Sequence, residues 1–117
     1  MATNSQIAFN PQGSTVLVAA AAVAPAGVQV PVNNQFNAQE TGQVRIVNAG
    51  TNIVHIGVGP TAALAQANAV AATAGTPAAG IPMLPGAVEI MRFPVGSYFS
   101  GVASSATTIY MTPGQGL

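Results

Sequence analysis

QVRIVNAGTNIVHIGVG, Gln43 to Gly59, is the stretch on which the fold turns. Its two halves alternate apolar with other residues at period two, the pattern of half-buried strands. Ala49, Gly50 and Thr51 between them read as a three-residue hairpin loop with Gly50 in the left-handed conformation. That register sets Arg45 opposite His55, Val44 opposite Ile56 and Ile46 opposite Val54. Val44, Ile46, Val54 and Ile56 then share the core face. Arg45, Val47, Ile53 and His55 share the other. Arg45 is one of two arginines and His55 the only histidine, so the same stretch asks whether they belong to a site or a scaffold.

Outward from it, the chain reads as short strands divided by turn signals. QIAFN (6–10) is an edge strand closed by Pro11 and Gly13. STVLVAAAAV (14–23) has alanines that suit a helix, but it is short, uncharged and bounded by Pro25 and Gly27, which favours a strand. GVQVPV (27–32) sets Val28, Val30 and Val32 on one face, and Pro31 confines it to an edge or bulge. NNQFNAQET (33–41) is a polar loop. After LPG (84–86), a turn, come AVEIMRF (87–93), SYFSGVA (97–103) and ATTIYMT (106–112). A PVG loop (94–96) between the first two would set Arg92 opposite Tyr98, Met91 opposite Phe99 and Glu89 opposite Gly101.

Residues 59–86 break the pattern with an Ala-rich insertion loop flanked by Gly and Pro. Within it, TAALAQANAVAAT (61–73) suits a short helix with Thr61 as its N-cap. Excursions this long in a small domain are usually functional or linker-like. Seven or eight short strands in one unit of this size predict a single all-β domain, an antiparallel sandwich or barrel. The expected division is an N-terminal arm, 1–13, and a β-sandwich domain, 14–117, interrupted by the 59–86 loop.

Composition narrows the function. Half of the 117 residues are hydrophobic, enough to fill one core. Only 3 % are charged, where soluble domains carry roughly 25 %. Glu40, Arg45, Glu89 and Arg92 are the whole charged set, and the formal net charge is zero. High hydrophobicity with low charge is the reverse of a disordered composition. The longest apolar run, Val16 to Ala24, is nine residues, against about 20 for a membrane helix. TVLVAAAAVAPA resembles the apolar part of a signal peptide, but no Lys or Arg precedes it. Near-zero charge favours self-association, and it points to a surface that does not face water in the working state. The tails, MATNSQIAFNPQGS and MTPGQGL, hold little to order themselves, so a neighbouring chain is expected to tie them down.

The inventory excludes much chemistry. There is no Cys, Lys or Asp, hence no thiolate, Schiff-base lysine, P-loop or aspartic dyad. One His and two Glu are too few for a zinc, transition-metal or calcium cage, and no cofactor is expected. Two arginines balanced by two glutamates cannot neutralise enough phosphates for nucleic acid. A Ser–His–Glu set on His55 is the surviving catalytic option. YFSGVASS (98–105) has scattered serines but no nucleophile elbow, so no enzyme is expected. Arg45, His55, Glu89, Arg92 and Tyr98 are instead candidate interface residues. The arginines could pair with Glu40 or Glu89, and Arg92 could stack on Tyr98.

Residues 43–117 carry a set of motifs: R-I-x-N-x-G at Arg45–Gly50, P-x-L-P-G-x-x-E at Pro82–Glu89 and T-P-G-x-G at Thr112–Gly116. In these the chain resembles small virion structural proteins of tailed bacteriophages. The resemblance implies a jelly-roll-like sandwich that sits on the capsid surface of the virion as a decoration, or cement, protein. It implies a homo-oligomer, dimer or trimer, assembled in the host cytoplasm and bound to the major capsid protein. Neither nucleic acid nor membrane is an expected partner. A head-fibre or receptor- or carbohydrate-binding module is the alternative, motivated by the 59–86 loop, although that loop holds no aromatic residue.

Overall fold

The computed structural model describes residues 10–11, 13–30 and 41–115. They form nine strands and one helix: β1 (Asn10–Pro11), β2 (Val16–Ala20), β3 (Val28–Gln29), β4 (Thr41–Asn48), β5 (Val54–Gly59), α1 (Ala62–Asn68), β6 (Ile81–Met83), β7 (Val88–Pro94), β8 (Tyr98–Ala103) and β9 (Thr107–Gln115). The architecture is an all-β sandwich of two antiparallel sheets. Sheet 1 runs β2-β9-β4-β7, with β1 beside β2 on the same flank of β9. Sheet 2 runs β3-β8-β5-β6. Most of the residues expected in the QIAFN strand, the 33–41 loop and Glu40 lie outside the described residues, as do Pro31, Val32 and Gly116.

The expected core face is correct. Val44, Ile46, Val54 and Ile56 are all buried, together with Val18, Met83, Phe99, Ile109 and Met111. Each large side chain withdrawn from water contributes about 1.5–3 kcal/mol, so this cluster supplies the main drive to fold. Phe93 closes one end of it edge-on to Phe99, with ring centroids 4.9 Å apart.

The expected hairpin is not there. β4 pairs with β7 and β9, whereas β5 pairs with β6 and β8. Residues 49–53 therefore arch from one sheet to the other. Arg45 lies opposite Ile90 and Thr112; His55 lies opposite Pro82 and Val102. Two amphipathic strands can bury their apolar faces side by side or face to face, and period-two alternation is the same in both. Local chemistry selects the arch. Gly50 does not take the left-handed conformation the hairpin needs. A Cβ there would strike the Thr107 side chain.

The same correction applies to the PVG loop. β7 belongs to sheet 1 and β8 to sheet 2, so Arg92 faces Gln43, Met91 faces Val44 and Glu89 faces Ile46. Tyr98 faces Gln29 and Gly59, Phe99 faces Val28 and Val58, and Gly101 faces Ile56. Connections 21–27, 49–53, 84–87, 95–97 and 104–106 all cross between sheets. Two of them are four-residue turns with glycine third and at positive φ: Leu84–Ala87, with Gly86 at 76°, and Pro94–Ser97, with Gly96 at 84°. Glycine there is what a type II turn requires, and that turn splays strands rather than aligning them as a hairpin.

Asn48 ties the arches at one end. Its fully buried side chain donates to the carbonyls of Asn52 (2.9 Å) and Met83 (3.0 Å) and accepts from the Gly50 amide (3.0 Å). Its own backbone pairs with Ala87 and Gly86. Asn52 extends the network to Ser104, Ser105 and Thr107. The R-I-x-N-x-G and P-x-L-P-G-x-x-E motifs thus meet at this one joint.

The 59–86 insertion is more structured than a loop. Thr61 caps α1 as expected, its Oγ1 accepting from the Leu64 amide at 3.2 Å. The helix ends at Asn68, and β6 joins the edge of sheet 2 beside β5. Pro82 and a length of three residues concealed β6 from pattern reading.

Candidate interface

Each sheet has an outer face, set by the residues that alternate with the core. On sheet 2 that face is partly covered. α1 lies across β5, where Gly57 and Gly59 turn outward and leave no side chain in the way. A Cβ on Gly57 would strike the helix backbone at Ala65 and Ala69; one on Gly59 would reach the Ala65 amide at 2.8 Å. Asn68 Nδ2 donates to the Val58 carbonyl at 2.7 Å and pins the end of the helix. Gln66 Nε2 donates to the Ala24 carbonyl at 2.8 Å and ties in the 21–27 connection.

His55 and Tyr98 are half-buried on this side. Ser100, the buried serine of β8, donates its hydroxyl to the Pro25 carbonyl at 2.6 Å. Among the described residues the His55 side chain makes no hydrogen bond, so no Ser–His pair is assembled. Nor do three or more His, Cys, Asp or Glu side chains come together among them. A shallow cleft of about 460 Å³ opens between Val58–Pro60 and Pro94–Ser97, and no ionisable side chain lines it.

Sheet 1 presents a different surface. Leu17, Tyr110, Val47 and Val88 sit in register across its four principal strands. Leu17 and Val88 are each 49 % exposed and Tyr110 41 %. Adjacent strands are about 4.8 Å apart, so the apolar row spans roughly 14 Å. In the next row Thr112, Arg45 and Ile90 stand in register, with Thr15 bonded to Thr112 between hydroxyls at 2.8 Å. Gly114, Gln43 and Arg92 form the row beyond.

The five candidate residues are therefore divided. Arg45 and Arg92 share the outer face of sheet 1, on diagonal positions of neighbouring strands. His55 and Tyr98 belong to sheet 2, and Arg92 does not stack on Tyr98. Arg45 and His55 are not side by side but on opposite sides of the sandwich. Glu89 alternates away from Arg92 along β7 and shares its side of the sheet with Ile46. Among the described residues neither arginine forms an ion pair, so neither pairs with Glu89. Strand alternation is the reason: residues three apart on one strand point to opposite sides.

The pattern already puts Val47 on the non-core face, but the expected hairpin sets it beside Ile53 rather than between Tyr110 and Val88, so the row does not emerge as a surface. A sequence signal existed. VLVA in β2 and IYM in β9 are continuously apolar rather than alternating, as in strands covered on both faces.

No protein family, no curated protein and no solved structure matches the chain.

Proposed function

We propose that this protein is a capsid decoration, or cement, protein. In this reading it is a jelly roll that binds the outside of an icosahedral phage head and strengthens contacts between major capsid proteins. The carrying observation is strand order. Two sheets, β2-β9-β4-β7 with the short β1 beside β2, and β3-β8-β5-β6, are joined by connections that pass from one sheet to the other. Jelly rolls have this double-sheet plan, and it serves viral capsid domains, lectins and cupins.

The chain's chemistry chooses among these. A cupin-type metal site needs several His or carboxylates, and the whole chain has one His and two Glu. Sugar recognition leans on exposed aromatic faces, and residues 59–86, which motivated the carbohydrate-binding alternative, hold none. A cement protein asks for no catalysis. It needs a stable fold, little charge and surfaces that stay attached, and many weak contacts repeated over a shell add up to firm binding. No enzymatic activity, cofactor or nucleic-acid partner belongs to this role. The copies would associate with one another as a dimer or trimer on the virion surface.

The test is mechanical. Heads carrying the protein and heads lacking it are heated, or shifted to low salt, and rupture is followed by release of DNA. The proposal expects the bare heads to break at lower temperature. Equal fragility would overturn it.

A further inference from the structure

We infer that the outer face of sheet 1 is the docking surface, and that its partner is a protein surface presenting apolar side chains flanked by carboxylates. This rests on the decoration reading and names the chemistry of that contact. Leu17, Tyr110, Val47 and Val88 provide an apolar row in register across four strands. Arg45 and Arg92 provide the charge, and they are every arginine and lysine side chain in the sequence.

The placement of that charge selects the occupant. In antiparallel sheets, diagonal neighbours have Cα atoms about 7–8 Å apart, close enough for two like charges to repel. Both arginines are exposed, and neither has an ion-pair partner among the described residues. A second copy seated face to face would obey two-fold symmetry and bring four arginines into one contact. An acidic partner relieves the repulsion instead. The Glu89 carboxylate is turned to the other side of β7, so it leaves the positive face uncompensated. Apolar packing then supplies adhesion and the arginines supply register and on-rate. Any self-association on the shell uses other surfaces.

The test measures binding of the full chain to heads purified without it, at two salt concentrations. Binding is expected to weaken as salt rises. It should fall at least tenfold in Tyr110→Ser and in the double variant Arg45→Glu with Arg92→Glu. The double Lys variant at the same positions should keep most of it. Leu64→Asp, a change at a 48 % exposed position on α1, should bind as the parent does. Thermal midpoints are recorded throughout. If Tyr110→Ser fails to fold, the charge-reversal pair decides, because both arginines are exposed.

Undiminished binding in the charge-reversed protein overturns the docking face while leaving the decoration reading intact. Failure of the parent to bind heads overturns both. Parent sedimentation as a dimer that Tyr110→Ser dissociates would put a second copy on this face and overturn the inference. A gain of bis-ANS fluorescence on deleting residues 1–9 would give the face to the chain's own arm, with the same consequence.

Discussion

Arg45 and His55 leave the sandwich through opposite faces, although ten positions separate them and core residues flank each on both sides. The strands that carry them look at one another across the core and share no backbone hydrogen bonds. Whatever these residues do, they do it at separate surfaces.

That geometry has a covalent test. The chain has no cysteine, so engineered pairs report cleanly. Arg45→Cys with Thr112→Cys places two thiols directly across the β4–β9 ladder, within disulfide reach. This pair should oxidise readily, as shown by a mobility shift on non-reducing gels. Arg45→Cys with His55→Cys should stay reduced. The reverse result would restore the hairpin.

Asn48 is the residue on which two arches depend. In Asn48→Ala the carbonyls of Asn52 and Met83 and the amide of Gly50 lose their partner in a buried joint. A loss of about 3 kcal/mol is expected, read as a drop in the urea midpoint at unchanged slope. Asn52→Ala, in the more exposed part of the network, should cost less. A loss below about 0.5 kcal/mol for Asn48→Ala would mean that the joint is not structural.

Gly57 sets how closely α1 lies on β5. The Cβ of Gly57→Ala would meet helix backbone rather than a flexible side chain, so the helix has to lift. Overpacking of this kind typically costs 1–3 kcal/mol. Amide exchange over Ala62–Asn68 should accelerate more than exchange in β4 or β9. Uniform acceleration would show that the helix is not a separate layer.

Much of this was legible in the sequence, and the illegible part has a common cause. Period-two alternation at Val44, Ile46, Val54 and Ile56 fixed which side chains enter the core. It could not fix the neighbours of those strands, because arches and hairpins bury the same residues. The turn residues carried the missing information. Pro85-Gly86 and Val95-Gly96 suit type II turns, which suit arches better than hairpins. Gly57 and Gly59, alternating outward on a strand, marked where another backbone approaches, which is how the helix in the insertion is seated. Of the five candidate interface residues, Arg45 and Arg92 came together and the others did not. The apolar row beside them was hidden in plain strands whose outward residues, Leu17 and Tyr110, look like core.

Whether sheet 1 docks this protein on the capsid is decided by an image reconstruction of heads mixed with it. A small sandwich is expected on the outer shell surface, with Leu17, Tyr110, Val47 and Val88 against the major capsid protein and Arg45 and Arg92 beside its carboxylates. A sandwich whose sheet 1 faces solvent, or a shell that carries none of this protein, would contradict this placement.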